Sequence, residues 1–98
     1  KDYTRAENLK PLATALARLQ AGEIYSEDPL QAAYLNALRL VMRGNHAAAM
    51  DGILDVLRQD KQYRHGEVRQ AMVGIFELLG DENPLTRQYR NELAMVLF

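Results

Sequence analysis

Ninety-eight residues carry 12 basic and 13 acidic side chains and no cysteine. That length suits one domain, a net charge of -1 offers no field to gather nucleic acid or an anionic membrane, and the missing cysteines exclude disulfides, thiolate zinc sites and thiol catalysis within this piece. No apolar run approaches the roughly 20 residues of a membrane helix and KDYTRAEN does not read as a signal peptide, so a cytoplasmic setting is expected.

Pro11 is a poor interior residue for a helix, so the first helix is expected to start at Asn8, with Pro11 in its first turn and Leu9, Leu12, Leu16 and Leu19 as its stripe. Gly22 should end it. Residues 23–27 read as a connector anchored by Ile24 and Tyr25. Asp28 before Pro29 is a cap-and-proline start signal, and Leu30, Ala33, Tyr34, Ala37, Leu38 and Val41 form the stripe of a second helix. Leu35 and Met42 widen that stripe, which predicts a helix packed on two sides in the middle of the domain.

Arg43, Gly44 and Asn45 make a tight connection that forces the next helix to run antiparallel. This third helix, about His46 to Asp60, sets Ala49, Met50, Ile53, Leu54 and Leu57 against a polar face with Asp51 and Asp55. After the charged stretch 61–66, Val68, Met72, Ile75 and Leu79 define a fourth helix that meets Gly80. Asn83 and Pro84 repeat the start signal for a fifth, whose core stripe is Leu85, Tyr89, Leu93 and Val96. Nothing asks for a strand. The expected fold is all-α, about five helices in antiparallel hairpins forming a right-handed array.

Two glycines sit inside helices, where each costs about 1 kcal/mol relative to alanine. Gly52 and Gly74 are equidistant from the connector near residue 63, so they are expected at one level, letting the third and fourth helices approach closely. The leucine stripe of the first helix is expected to cover the second helix, leaving that helix's far side open to self-association as a homodimer of this piece.

Few residues suggest chemistry. His46 and His65, a whole helix apart, read as solvent-facing or capping residues, and no metal or other cofactor site is expected. Asp51 and Asp55 lie one turn apart beside Arg58 and read as solvated surface rather than as an acid and base pair. Arg69 is expected to pair with Asp60, with an anion patch of Lys61, Arg64 and Arg69 as the minor alternative. Tyr25, Tyr34, Tyr63 and Tyr89 read as core rings with wet hydroxyls. These residues predict a non-enzymatic domain.

The second and third helices, with Gly44 at the turn and Ala37, Leu40, Ala49 and Ile53 at the packing positions, are similar to a tetratricopeptide repeat. Beyond them, the order of a glycine-turn hairpin, ILDVLRQD, an aromatic, Arg69, IFELLG, a Pro-Leu pair and YRNELAMVLF resembles the C-terminal tetratricopeptide-like domain of the YbbN family, the CnoX or chaperedoxin co-chaperones. The resemblance implies a thioredoxin-like domain upstream of Lys1. It also implies a holdase role for unfolded client proteins in the stress response, and docking on the GroEL chaperonin through the C-terminal helix, here Pro84 to Phe98. The rival readings are a tetratricopeptide adaptor that binds a peptide in its groove, and a dimerisation domain attached to an enzyme.

At 100° per residue the fifth helix turns Arg87, Asn91, Ala94, Met95 and Phe98 away from its core stripe. Apolar groups gathered on an outward face mark a contact, so these five are the expected protein-binding residues.

Overall fold

A computed structural model describes residues 2–20 and 28–98, with side chains from Arg5 onward in the first segment. The helices are α1 (Asp2–Gln20), α2 (Pro29–Met42), α3 (His46–Gln59), α4 (Glu67–Leu79) and α5 (Pro84–Leu97), with a 3-10 turn over Tyr63–Gly66. The described residues contain no strand, and the fold is all-α and built from helical hairpins.

The start signals act locally, as the sequence predicts. Asp28 Oδ1 accepts from the Leu30 amide at 3.0 Å, Asn45 Oδ1 from Ala48 at 3.4 Å and Asn83 Oδ1 from Leu85 at 2.9 Å. Gly44 and Gly80 take positive φ values of 80° and 89° just beyond α2 and α4, where other residues would be strained.

The centre of the domain is α3, rather than the expected α2. Its Ala49, Met50, Ile53, Leu54, Val56 and Leu57 are all fully buried, because α3 packs on α2, α4 and α5. Leu35 of α2 is buried as expected, but Met42 is exposed.

The first helix departs most from expectation. It begins at Asp2 and carries Pro11 in its interior. Pro11 cannot donate to the Glu7 carbonyl, but Glu7 is exposed, so water can serve that oxygen while the half-buried Pro11 ring faces the α4 side. Moreover, α1 lies chiefly along α4, with a lesser contact to α2. Gly22, Ile24 and Tyr25 lie outside the described residues.

The interior glycines do permit close approach, but not to each other. A Cβ on Gly52 would lie 3.4 Å from Ala37 Cβ of α2, whereas one on Gly74 would lie 2.7 Å from Leu12 Cβ of α1 and 3.3 Å from the Asn8 carbonyl. Counting from the connector fixed their height along the helices, not the direction in which each faces. Gly52 serves the α2–α3 contact and Gly74 the α1–α4 contact.

Candidate protein-interaction surface

Helix α5 is held from several sides. Thr86, fully buried, donates its hydroxyl to the Gly80 carbonyl at 2.8 Å and fixes the α4–α5 connection. Tyr89 donates to Asp51 Oδ1 of α3 at 2.8 Å, and burial followed by this bond pushes its phenol up to about 12. Arg90 bonds Asp81 at 2.6 Å and lies 5.6 Å from the Phe76 ring centre. At the far end Lys61 Nζ donates to the Leu97 carbonyl at 3.4 Å, placing a cation at the negative helix terminus.

This fixed helix buries Thr86, Tyr89 and Leu93, and half-buries Leu85, Val96 and Leu97. Arg87, Asn91, Ala94, Met95 and Phe98 all lie exposed on the remaining arc, Met95 by 73% and Phe98 by 99%. The Phe98 amide still bonds the Ala94 carbonyl at 3.0 Å, so the ring is carried on the end of the helix rather than folded back onto the core. A pinned helix with a flexible thioether, a large ring and flanking polar groups on its open face is suited to a partner's apolar groove.

The tyrosine hydroxyls are not merely wet. Besides the Tyr89–Asp51 bond, Tyr34 of α2 donates to Glu67 Oε2 at the start of α4 at 2.9 Å. Tyr63 donates to Asp28 Oδ2 at 2.7 Å and lies 3.1 Å from Gln31 Oε1. Burial, then the negative charge of Glu67 and the bond to it, pushes the Tyr34 phenol far up, and burial, then the bond to Asp28, raises Tyr63 to about 12. The Tyr63 hydroxyl in turn is the first cause holding the Asp28 carboxyl below its usual range, with the Leu30 amide second. A tyrosine within an apolar stripe signals that its hydroxyl needs a partner. Which carboxylate it reaches, more than 30 residues away, is not written locally.

Other sequence expectations change in the same light. Asp51 is the acceptor for Tyr89, while Asp55 bonds Arg58 at 2.7 Å on the surface. Arg69 is exposed and makes no ion pair with Asp60, whose carboxylate instead takes the Gln62 amide at 3.0 Å. The anion patch does not assemble: Lys61 reaches Leu97, and Arg64 binds Gln31 Oε1 at 2.9 Å and pairs with Glu67 Oε2 at 3.3 Å. His65 is exposed, but His46 is half-buried with its Nδ1 enclosed. Among the described residues no cluster of histidine and carboxylates has the makings of a metal site, and no helix is long and apolar enough to cross a membrane.

The tetratricopeptide repeat family matches residues 6–98, nearly the whole chain. An uncharacterized protein of Haemophilus influenzae is 29% identical over 84 residues, covering 85% of this chain and 38% of its own length. The chain thus spans well under half of that relative. No solved structure matches it.

Proposed function

This chain belongs to the tetratricopeptide repeat family, and we propose that it is a non-enzymatic protein-interaction domain whose docking element is the outward face of α5. The observation that carries this reading is the 99% exposure of Phe98 beside Met95 on a helix whose opposite face is core. The groove-binding alternative is less favoured, because α1 already lies along α4 and against α2.

The partner we propose is a GroEL-type chaperonin, reached from a larger cytoplasmic co-chaperone that holds unfolding clients. Support for that step is the resemblance of ILDVLRQD, IFELLG and YRNELAMVLF to the chaperedoxin C-terminal domain. Met95 with Phe98 supplies a compact apolar contact for such a partner that leaves the core stripe of α5 undisturbed.

The test is to titrate the intact chain onto purified GroEL and map amide exchange in the complex. Protection is expected over residues 87–98. Protection confined to α1 and α4, or no complex, would contradict the reading.

A further inference from the structure

The chain holds no cysteine and no tryptophan, so the groups most open to two-electron oxidation are its four methionine thioethers. The fold separates these four. Met50 of α3 and Met72 of α4 are fully buried in the core, whereas Met42 at the end of α2 is 46% exposed and Met95 of α5 is 73% exposed. An oxidant dissolved in water acts on sulfur that water reaches, so burial protects the two thioethers on which packing depends and leaves the two at the surface open.

The two surface sulfurs differ in what surrounds them. Met42 shares an open crevice with Arg39 and Arg43, which no residue of α5 borders. Met95 belongs to the outward face of α5, four residues after the exposed Asn91 and three before Phe98, so both are its neighbours across one helical turn. Met95 and Phe98 are the large apolar groups of that face. A change in the polarity of Met95 therefore alters a main part of the apolar contact that the face offers.

We propose that Met95 is an oxidative modification site, and that its conversion to methionine sulfoxide by hydrogen peroxide releases the partner from α5, a proposal that rests on the docking role of that face. A lone pair on Met95 Sδ attacks one oxygen of the peroxide and the O–O bond breaks. Sulfur gains that oxygen and gives up two electrons, and the other oxygen leaves as water, carrying both hydrogens. The apolar thioether becomes a polar sulfoxide. Burying its oxygen in a partner's apolar groove leaves it without a donor, whereas in the free chain water and the Asn91 amide can serve it. Oxidation therefore favours the free chain. Because Met50 and Met72 are shielded, the core keeps its packing and the change is confined to docking. Methionine sulfoxide reductases reverse the modification, so the face can be restored.

The test treats the intact chain with hydrogen peroxide, reads each methionine by peptide mass spectrometry and titrates the product onto purified GroEL. Met95 should oxidise ahead of Met42 and at least about tenfold faster than Met50 and Met72, with helical content retained. The Met95 sulfoxide should bind at least roughly fivefold more weakly than the untreated chain, and methionine sulfoxide reductases should restore the binding. Met42→Leu should lose binding on treatment in the same way. Met95→Leu, whatever its starting affinity, should bind equally well before and after treatment. Oxidation of Met42 ahead of Met95, or of Met50 or Met72 as fast as Met95 in the folded chain, overturns the assignment of the site. A Met95 sulfoxide that binds as tightly as the untreated chain overturns the release and leaves docking through α5 standing. If the untreated chain does not bind GroEL, the docking reading has failed and the release falls with it.

Discussion

The hydroxyl of Tyr34 donates a 2.9 Å hydrogen bond to Glu67 Oε2, 33 residues further on, and so ties α2 to the first turn of α4. The same oxygen faces Arg64 Nε at 3.3 Å, just after the connector in which Arg64 and His65 take positive φ values of 55° and 56°. Tyr34→Phe should destabilise the fold by about 1.5 kcal/mol, the low end for a bond to a charged group, because Glu67 is partly exposed and water replaces the lost donor. Urea unfolding measures it. A loss below a few tenths would show that the bond does not bear on stability.

The three bonded phenols make stability fall in alkali. Each is neutral in the fold with its pKa raised above the unfolded value of about 10, so its contribution is fully present below that value and is lost as pH rises through the folded one. For Tyr63 and Tyr89 the folded value is about 12. The melting temperature should therefore decline above about pH 10, and Tyr63→Phe with Tyr89→Phe should make the decline shallower. An equally steep decline in the double variant would assign alkaline unfolding to other groups.

Gly52 and Gly74 should respond oppositely to alanine. At Gly52 the new methyl meets Ala37 Cβ at 3.4 Å, ordinary contact, so the gain in helix propensity should stabilise the protein by up to about 1 kcal/mol. At Gly74 it would lie 2.7 Å from Leu12 Cβ, and displacement of α1 should outweigh that gain, for a net loss of about 1 to 3 kcal/mol. Thermal unfolding of the two variants measures the contrast. Stabilisation by both would mean that α1 shifts at little cost.

Thr86 is a buried donor at a turn. Thr86→Val keeps the volume but removes the 2.8 Å bond to the Gly80 carbonyl, which retains the Asn83 amide at 3.2 Å, and should cost about 0.5 to 1.5 kcal/mol. Urea unfolding should show it, and no change would mean that the Asn83 amide alone satisfies the carbonyl.

The helix starts at Asp28, Asn45 and Asn83 and the stops at Gly44 and Gly80 were legible because each cap is a bond between residues two to four apart. The outward arc of Arg87, Asn91, Ala94, Met95 and Phe98 was legible for a similar reason, since helical pitch alone separates it from Tyr89 and Leu93. What local pattern does not encode is the choice between remote partners. Gly74 announces a close approach, but whether the approaching helix is α3 or α1 depends on packing across the whole chain. Arg69 and Asp60 carry opposite charges across a short connector, yet the 3-10 turn gives Asp60 the nearer Gln62 amide and leaves Arg69 exposed. Pro11 fails as a marker of the first helix's start because propensity is a weak prior against the burial of Leu12 and Ala15 on α4.

Titration of GroEL with the Met95→Ala, Phe98→Ala double variant, alongside Leu93→Ala and the unaltered chain, tests docking through α5 most directly. The double variant should bind roughly five- to thirtyfold more weakly, about 1 to 2 kcal/mol, with its thermal unfolding nearly unchanged, because both side chains are exposed. Leu93→Ala, which opens a cavity at a buried position, should instead lose about 2 to 5 kcal/mol of stability while the fraction that remains folded still binds. Unchanged affinity in the double variant would contradict docking through this face, and a large loss of stability would place Met95 and Phe98 in the core.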